Sequence, residues 1–217
     1  MNAPIKDISF HVSDSYIHVQ SGNELSALSS GVVGGGFHKT RHVINVHVDK
    51  NYASLNPAAD LKKFARGIGV REKFIGMLTA ATVGSTKPVF ITEHGLTVCV
   101  VMTVGLSNST CAGVTPPFLP ESPAGTVNTI IILDARLSRA AMVNVVITAT
   151  EAKTAALQLL NRKTKDDDPA TGTSTDSIVI ATTGKGNHFK YAGSVTLPGW
   201  LIARAVRQSI AQGLSEK

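Results

Sequence analysis

Residues 5–20 alternate apolar and polar side chains: "ISFHV" and "YIHVQ" flank "SDS", a pattern that predicts a β-hairpin. The glycine-rich "SGVVGGG" turns into "HVINVHV", a predicted strand over His42–Val48. In "NPAADLKKFARGIG" the period changes. Asn56 can cap a helix, Pro57 suits its first position, and Leu61, Phe64, Ala65 and Ile68 fall on one stripe. Strand composition returns in "KFIGMLTAATV", "PVFITEH", "LTVCVVMTVG" and "TVNTIIILDA"; the last two are apolar and β-branched enough to lie inside a sheet. Between those two, Pro116, Pro117, Pro120 and Pro123 mark a loop over residues 107–125. Leu137–Leu160 reads as helix, "NRKTKDDDPATGTSTD" as a charged loop and "SIVIAT" as another buried strand. The last helix carries Ile202, Val206, Ile210 and Leu214 at every fourth position. Strands interleaved with helices behind a hairpin predict an α/β (or α+β) single domain, with a mixed β-sheet packed against helices. Strand order is not readable from this pattern.

Composition agrees with one core. The 217 residues are 43% hydrophobic, 17% charged and only 5% aromatic, which excludes a disordered chain. The net charge of +6 comes from scattered basic residues without aromatic platforms, so no nucleic-acid partner is expected. Cys99 and Cys111 have no metal spacing and read as free thiols of a reducing compartment. The N-terminus lacks the apolar segment of a signal peptide, and the longest apolar run, Leu96–Leu106, is too short to span a bilayer as a helix. By exclusion, a cytoplasmic protein with no membrane partner is expected.

Three stretches could carry chemistry. In "AAMVNVVITATEAKTAALQLL", Asn144, Thr148 and Glu151 share one helical face, and a carboxylate on an apolar helix is a candidate acid or base. The same "TATE" is also a capping box, in which Glu151 only closes a helix start. Lys153 lies about 200° around the helix from Glu151 and reads by default as solvated. In "ATGTSTDS", Gly172 relaxes the backbone, while Thr173 and Ser174 offer hydroxyls and N–H groups to a developing oxyanion. Asp176 stands where this loop becomes strand; a plain Asx or Ser/Thr turn is the competing interpretation. After the glycines come His38, Arg41, His42 and Asn45, where Arg41 could grip a carbonyl or phosphate and Asn45 could hydrogen-bond inside the sheet. Asn108 and Asn128 sit beside small residues at strand ends and could position a substrate or simply build turns. With no HExxH or comparable spacing, no protein metal site is expected.

In sequence order, the motifs "GGG…R…N" (Gly34 to Asn45), "MLTAA", "GLSN", "GTVNTIIILD", "TATEAKTAALQ", "ATGTSTDS" and "YAG" resemble the adenosylcobinamide amidohydrolases (CbiZ) over about residues 30–205. The resemblance implies hydrolysis of the amide joining the corrin ring to aminopropanol, giving adenosylcobyric acid and 1-amino-2-propanol in corrinoid salvage. A corrinoid-binding protein without hydrolysis is the alternative. The implied substrate brings its own cobalt, so no further cofactor is expected; a homo-oligomer stays open. Amide hydrolysis needs an attacking oxygen, oxyanion stabilisation and a proton for the amine. The leading assignment is water activated by Glu151 or Asp176, with the N–H groups of Gly172–Ser174 and Asn128 at the oxyanion. The rival makes Thr173 or Ser174 a covalent nucleophile, with a carboxylate or Lys153 as base. Arg41, Asn45 and Tyr191 are assigned to the macrocycle's amides or the adenosyl group.

Overall fold

A computed structural model describes residues 4–117 and 125–215; Pro120 and Pro123 of the predicted loop lie outside them. The elements run β1 (Ile8–Val12), β2 (Tyr16–Ser29), β3 (Gly36–His47), α1 (Pro57–Gly67), β4 (Phe74–Thr79), β5 (Val89–Glu93), β6 (Leu96–Val104) and β7 (Ser109–Thr110). They continue through β8 (Val127–Leu133), β9 (Arg136–Leu137), α2 (Arg139–Leu159), β10 (Gly172–Thr173), β11 (Ser177–Thr182), β12 (His188–Phe189) and α3 (Leu197–Ser215). The main sheet has the order β4-β3-β2-β11-β8-β6-β5, with β1 on β2. It is mixed, as expected: β3/β4 and β11/β8 are parallel and the other pairs antiparallel.

The predicted hairpin forms, with Ile8 opposite Ser21 and Val12 opposite Ile17. β2 runs well past the predicted "YIHVQ". A register shift between Gln20 and Leu25 interrupts its pairing with β3, and its second half pairs with β11 instead of β1. The irregularity breaks the alternation on which the shorter prediction rested. The sheet is also rolled. Asn128 on β8 donates to the Leu78 carbonyl on β4 at 2.8 Å, although four strand spacings, about 19 Å in a flat sheet, separate them. Phe10 on β1 likewise meets Phe90 on β5, ring to ring at 5.8 Å.

Rolling explains why β6 and β8 are apolar on both faces. Val98, Val100 and Met102 pack with α2 and α3, whereas Cys99 and Val101 turn inward with Ile130, Ile132 and Val179. Burial pushes the Cys99 thiol pKa well above its ordinary value. α1 lays Leu61 and Ala65 over Ile44, Val46 and Phe74. Its N-terminus is built as expected, with the Asn56 side chain accepting from the Ala59 N–H at 3.1 Å and Pro57 in the first turn. In α2, Ser138 is the cap, accepting from the Ala141 N–H, and the helix continues unbroken through "TATE". The capping box is therefore not used; Thr148 instead donates to the Ala192 carbonyl at 3.2 Å. Apolar as its sequence is, α2 leaves one side to solvent, with Val143 and Ile147 about half exposed.

Candidate active site

Parallel pairing sets the location. Ser177 lies opposite Asn128, so the loops that enter β8 and β11 arrive at the same edge of the sheet. The turn after β6 reaches that edge too, where the Gly105 N–H donates to the Thr126 carbonyl at 3.0 Å. β10 then pairs with β7, placing Gly172 opposite Thr110 and Thr173 opposite Ser109. Alternate threonines fasten the loop. Thr171 Oγ1 accepts from the Ala112 N–H, and Thr175 Oγ1 donates to the Gly125 carbonyl and contacts Thr126 Oγ1. Thus "GLSN", "GTVN" and "ATGTSTD", distant in sequence, share one edge.

Asp176 is the hub. Its Oδ1 accepts from the Thr173 N–H, the Val127 N–H (each 3.1 Å) and the Thr173 hydroxyl, while its Oδ2 is ion-paired with Lys153 Nζ. The Lys153 and Asp176 side chains are 13% and 20% exposed, so the pair is largely withdrawn from water. Gly172 makes room for it. A Cβ at that position would overlap Asp176 Oδ2 and sit 2.7 Å from Lys153 Nζ. Thr154 Oγ1 donates to the Thr171 carbonyl at 3.0 Å, so α2 grips the loop at two neighbouring positions. Thr173 itself is 8% exposed. A hydroxyl held on a carboxylate that an ammonium also holds is an arrangement suited to nucleophile activation.

Beneath the edge runs a buried chain of amides and hydroxyls. Asn128 Nδ2 donates to Asn45 Oδ1 and to the Leu78 carbonyl, both at 2.8 Å; Asn45 Nδ2 donates to Thr103 Oγ1, which donates on to Thr79 Oγ1. Both Asn128 N–H groups are thereby committed, which removes them as oxyanion donors in this arrangement. Asn128 Oδ1 has no partner among the described residues. On the outer side, Asn108 Nδ2 donates to Ser174 Oγ at 2.9 Å. Asn108 and Ser174 line a cavity of about 660 Å³ together with Thr110, Cys111, Lys163 and Lys165.

The remaining sequence-selected residues do not join this cluster. Glu151 lies mid-helix on the exposed face of α2, beside Ile147, Thr150 and Gln158. The helix meets the loop through Lys153, about 200° away, the residue read by default as solvated and, in the rival route, as the base; Glu151 does not reach the loop. Tyr191 is 68% exposed, next to Ala192, whose N–H is held by Asn144 Oδ1 near the other end of α2. Arg41 is exposed. Sequence reasoning missed Thr103, Thr126 and Thr175, which alternation presents as ordinary strand and turn hydroxyls. It had one usable signal for Lys153: the residue borders Ala152 and Ala156, whose small side chains permit close packing of that face. Among the described residues, no group of three or more His, Cys, Asp or Glu could hold a metal ion, and no helix is long and apolar enough to cross a membrane.

Comparison with known proteins converges on one family. The family model described as adenosylcobinamide amidohydrolase (CbiZ) matches residues 1–217. An adenosylcobinamide amidohydrolase of Methanosarcina mazei is 28% identical over 214 residues, 94% of this chain and 96% of that protein. An uncharacterized protein of Methanocaldococcus jannaschii is 46% identical over 98 residues, 44% of this chain but only 38% of its own length. An adenosylcobinamide amidohydrolase of Halobacterium salinarum is 31% identical over 125 residues, 55% of this chain and 51% of that protein.

Proposed function

The chain belongs to the adenosylcobinamide amidohydrolase family, and on that premise we propose that it hydrolyses the amide between the corrin ring's propionyl arm and aminopropanol. The products are adenosylcobyric acid and 1-amino-2-propanol, and the role is corrinoid salvage. The observation that carries the reading is the Thr173–Asp176–Lys153 constellation at the edge where the family's motifs meet.

Of the two routes that residue chemistry leaves open, the covalent one fits the contacts better. Asp176 Oδ1 already receives three donors, the Thr173 hydroxyl among them, whereas a water would still have to reach a carboxylate largely withdrawn from solvent. The Thr173 hydroxyl already donates to that carboxylate. In the proposed course Thr173 Oγ1 attacks the amide carbon as its proton passes to Asp176, and Lys153 holds the carboxylate in position. Collapse of the tetrahedral centre breaks the C–N bond, the departing amine takes the proton, and an ester to Thr173 remains. Water then cleaves that ester, leaving the corrin carboxylic acid and the free hydroxyl. In this course Asn108 Nδ2, which lines the neighbouring cavity, releases Ser174 and steadies the oxyanion. Asn45 and Asn128 support the floor rather than touch the substrate.

The test is product analysis by mass spectrometry with purified protein and adenosylcobinamide, together with Thr173→Ala and Thr173→Ser. Thr173→Ala should lose at least about 10³-fold in kcat/KM, roughly 4 kcal/mol of transition-state stabilisation, while Thr173→Ser keeps part of it and accumulates a trappable ester. Turnover of Thr173→Ala within a few-fold of the parent would transfer the chemistry to water. Absence of aminopropanol release by the parent, with corrinoid still bound, would leave a binding protein.

A further inference from the structure

A second concavity lies far from this edge. It is a cleft of about 370 Å³ between α1, the start of β3 and the start of β4, with Val33, Val70 and Phe74 as an apolar floor. Lys62 and Arg66 from α1, and Arg71 and Lys73 from the following loop, supply four positive charges against the one negative charge of Glu72. The local balance is therefore +3, half of the whole chain's +6. Phe74 begins β4, whereas the candidate active site adjoins its end at Thr79. Five residue steps of strand, about 17 Å, separate the two. The amide-cleaving edge makes no use of these cations.

His38 forms one wall of the cleft, and its Nε2 is shielded from water without a hydrogen-bond partner among the described residues. That nitrogen faces away from the open cleft, so the groups presented to a ligand are the four cations and the apolar floor. Arg66 is partly pre-positioned, since its Nε donates to the Lys62 carbonyl at 3.2 Å and leaves the outer guanidinium N–H groups for a second partner. We propose that this cleft binds an organic phosphate of mononucleotide size, at a site distinct from the one that cleaves the amide. A phosphate dianion matches a cluster of this charge better than a single carboxylate does, and guanidinium forks fit its oxygens in pairs. The apolar floor calls for a ring system rather than a bare ion. The volume lies near the lower end of the roughly 300–1,000 Å³ typical of small-ligand pockets. The inference stands apart from the proposed hydrolysis, because none of its residues belongs to the Thr173–Asp176–Lys153 group.

Calorimetric titration of the full chain at low salt with AMP, adenosine and inorganic phosphate tests it. AMP should bind at least about tenfold more tightly than either fragment and lose at least about tenfold in Arg66→Gln/Arg71→Gln, whose side chains are exposed and whose removal leaves the core intact. Adenosine or phosphate binding as tightly as AMP would overturn the proposal, as would equal AMP affinity in the double variant or no saturation with AMP. Turnover of adenosylcobinamide without nucleotide should stay within about twofold in Arg66→Gln/Arg71→Gln. Its collapse would merge the cleft with the catalytic site and refute the claim of a separate one.

Discussion

Asp176→Asn probes the hub with almost no change of volume. The amide oxygen can still accept from the Thr173 and Val127 N–H groups, but the amide nitrogen then faces Lys153 Nζ, donor against donor. At 13% and 20% exposure the ion pair is neither a surface pair, with about 0–1 kcal/mol at stake, nor a fully buried one, which costs about 3–5 kcal/mol to break. An intermediate loss of about 1–3 kcal/mol is expected. For a chain of 217 residues that corresponds to a fall in Tm of about 2–12 °C. The informative assay is a double-mutant cycle by urea and thermal unfolding. Lys153→Met keeps the stem that packs beside the loop and removes the charge. If the two groups act as a unit, Asp176→Asn/Lys153→Met should lose about 1–2 kcal/mol less than the sum of the single variants. Additivity within about 0.5 kcal/mol would refute the pairing as an energetic unit, and with it the positioning role given to Lys153.

Gly172→Ala should be harmful despite its small size, because the new methyl group occupies the space of the Asp176–Lys153 contact; about 1–3 kcal/mol of stability and at least about tenfold in kcat should be lost, read by unfolding and steady-state kinetics. Glu151→Gln should leave Tm within about 1 °C and kcat within about twofold, since the side chain is exposed on the far face of α2. Stability should also depend on pH through His18, whose pKa is lowered to about 4 by burial first and then by His42 and His11. A histidine with a depressed folded pKa contributes stability above its unfolded value near 6.5, and that contribution disappears as pH falls toward 4. Because the ring is only half buried, about 1–2 kcal/mol is at stake after discounting for solvent screening, and the slope of urea midpoints across that window should flatten in His18→Phe.

Which elements the chain reveals in advance follows from how local their causes are. The β1–β2 hairpin, α1 with its Asn56 cap, and the apolar strands β6 and β8 each announce themselves within a dozen residues. The second half of β2 does not, because its irregular pairing past Gln20 takes its partners from β3 and β11. Similarly, Asp176, Gly172 and Thr173 are conspicuous as a turn, but their tie to Lys153 is not. That tie depends on the angle at which α2 crosses the loop, and spacing within α2 says only that Glu151 and Lys153 face different ways. "TATE" fits a capping box equally well in isolation; the helix runs through it because Ser138 provides the cap upstream and Thr148 finds the Ala192 carbonyl.

By itself the sequence determined the mixed α/β class, the helical and apolar segments, the family motifs, and the hydroxyl turn ending in Asp176. Those properties rest on hydrophobic period, local backbone preference and residue type, all of which act over a few neighbours. Tertiary structure alone decided that the sheet rolls until Asn128 meets the Leu78 carbonyl, that Lys153 rather than Glu151 reaches the turn, and that Lys62, Arg66, Arg71 and Lys73 border one cleft with His38. Each of these is a meeting of segments remote along the chain. Their geometry is set by strand order, sheet curvature and helix placement, which no local pattern encodes.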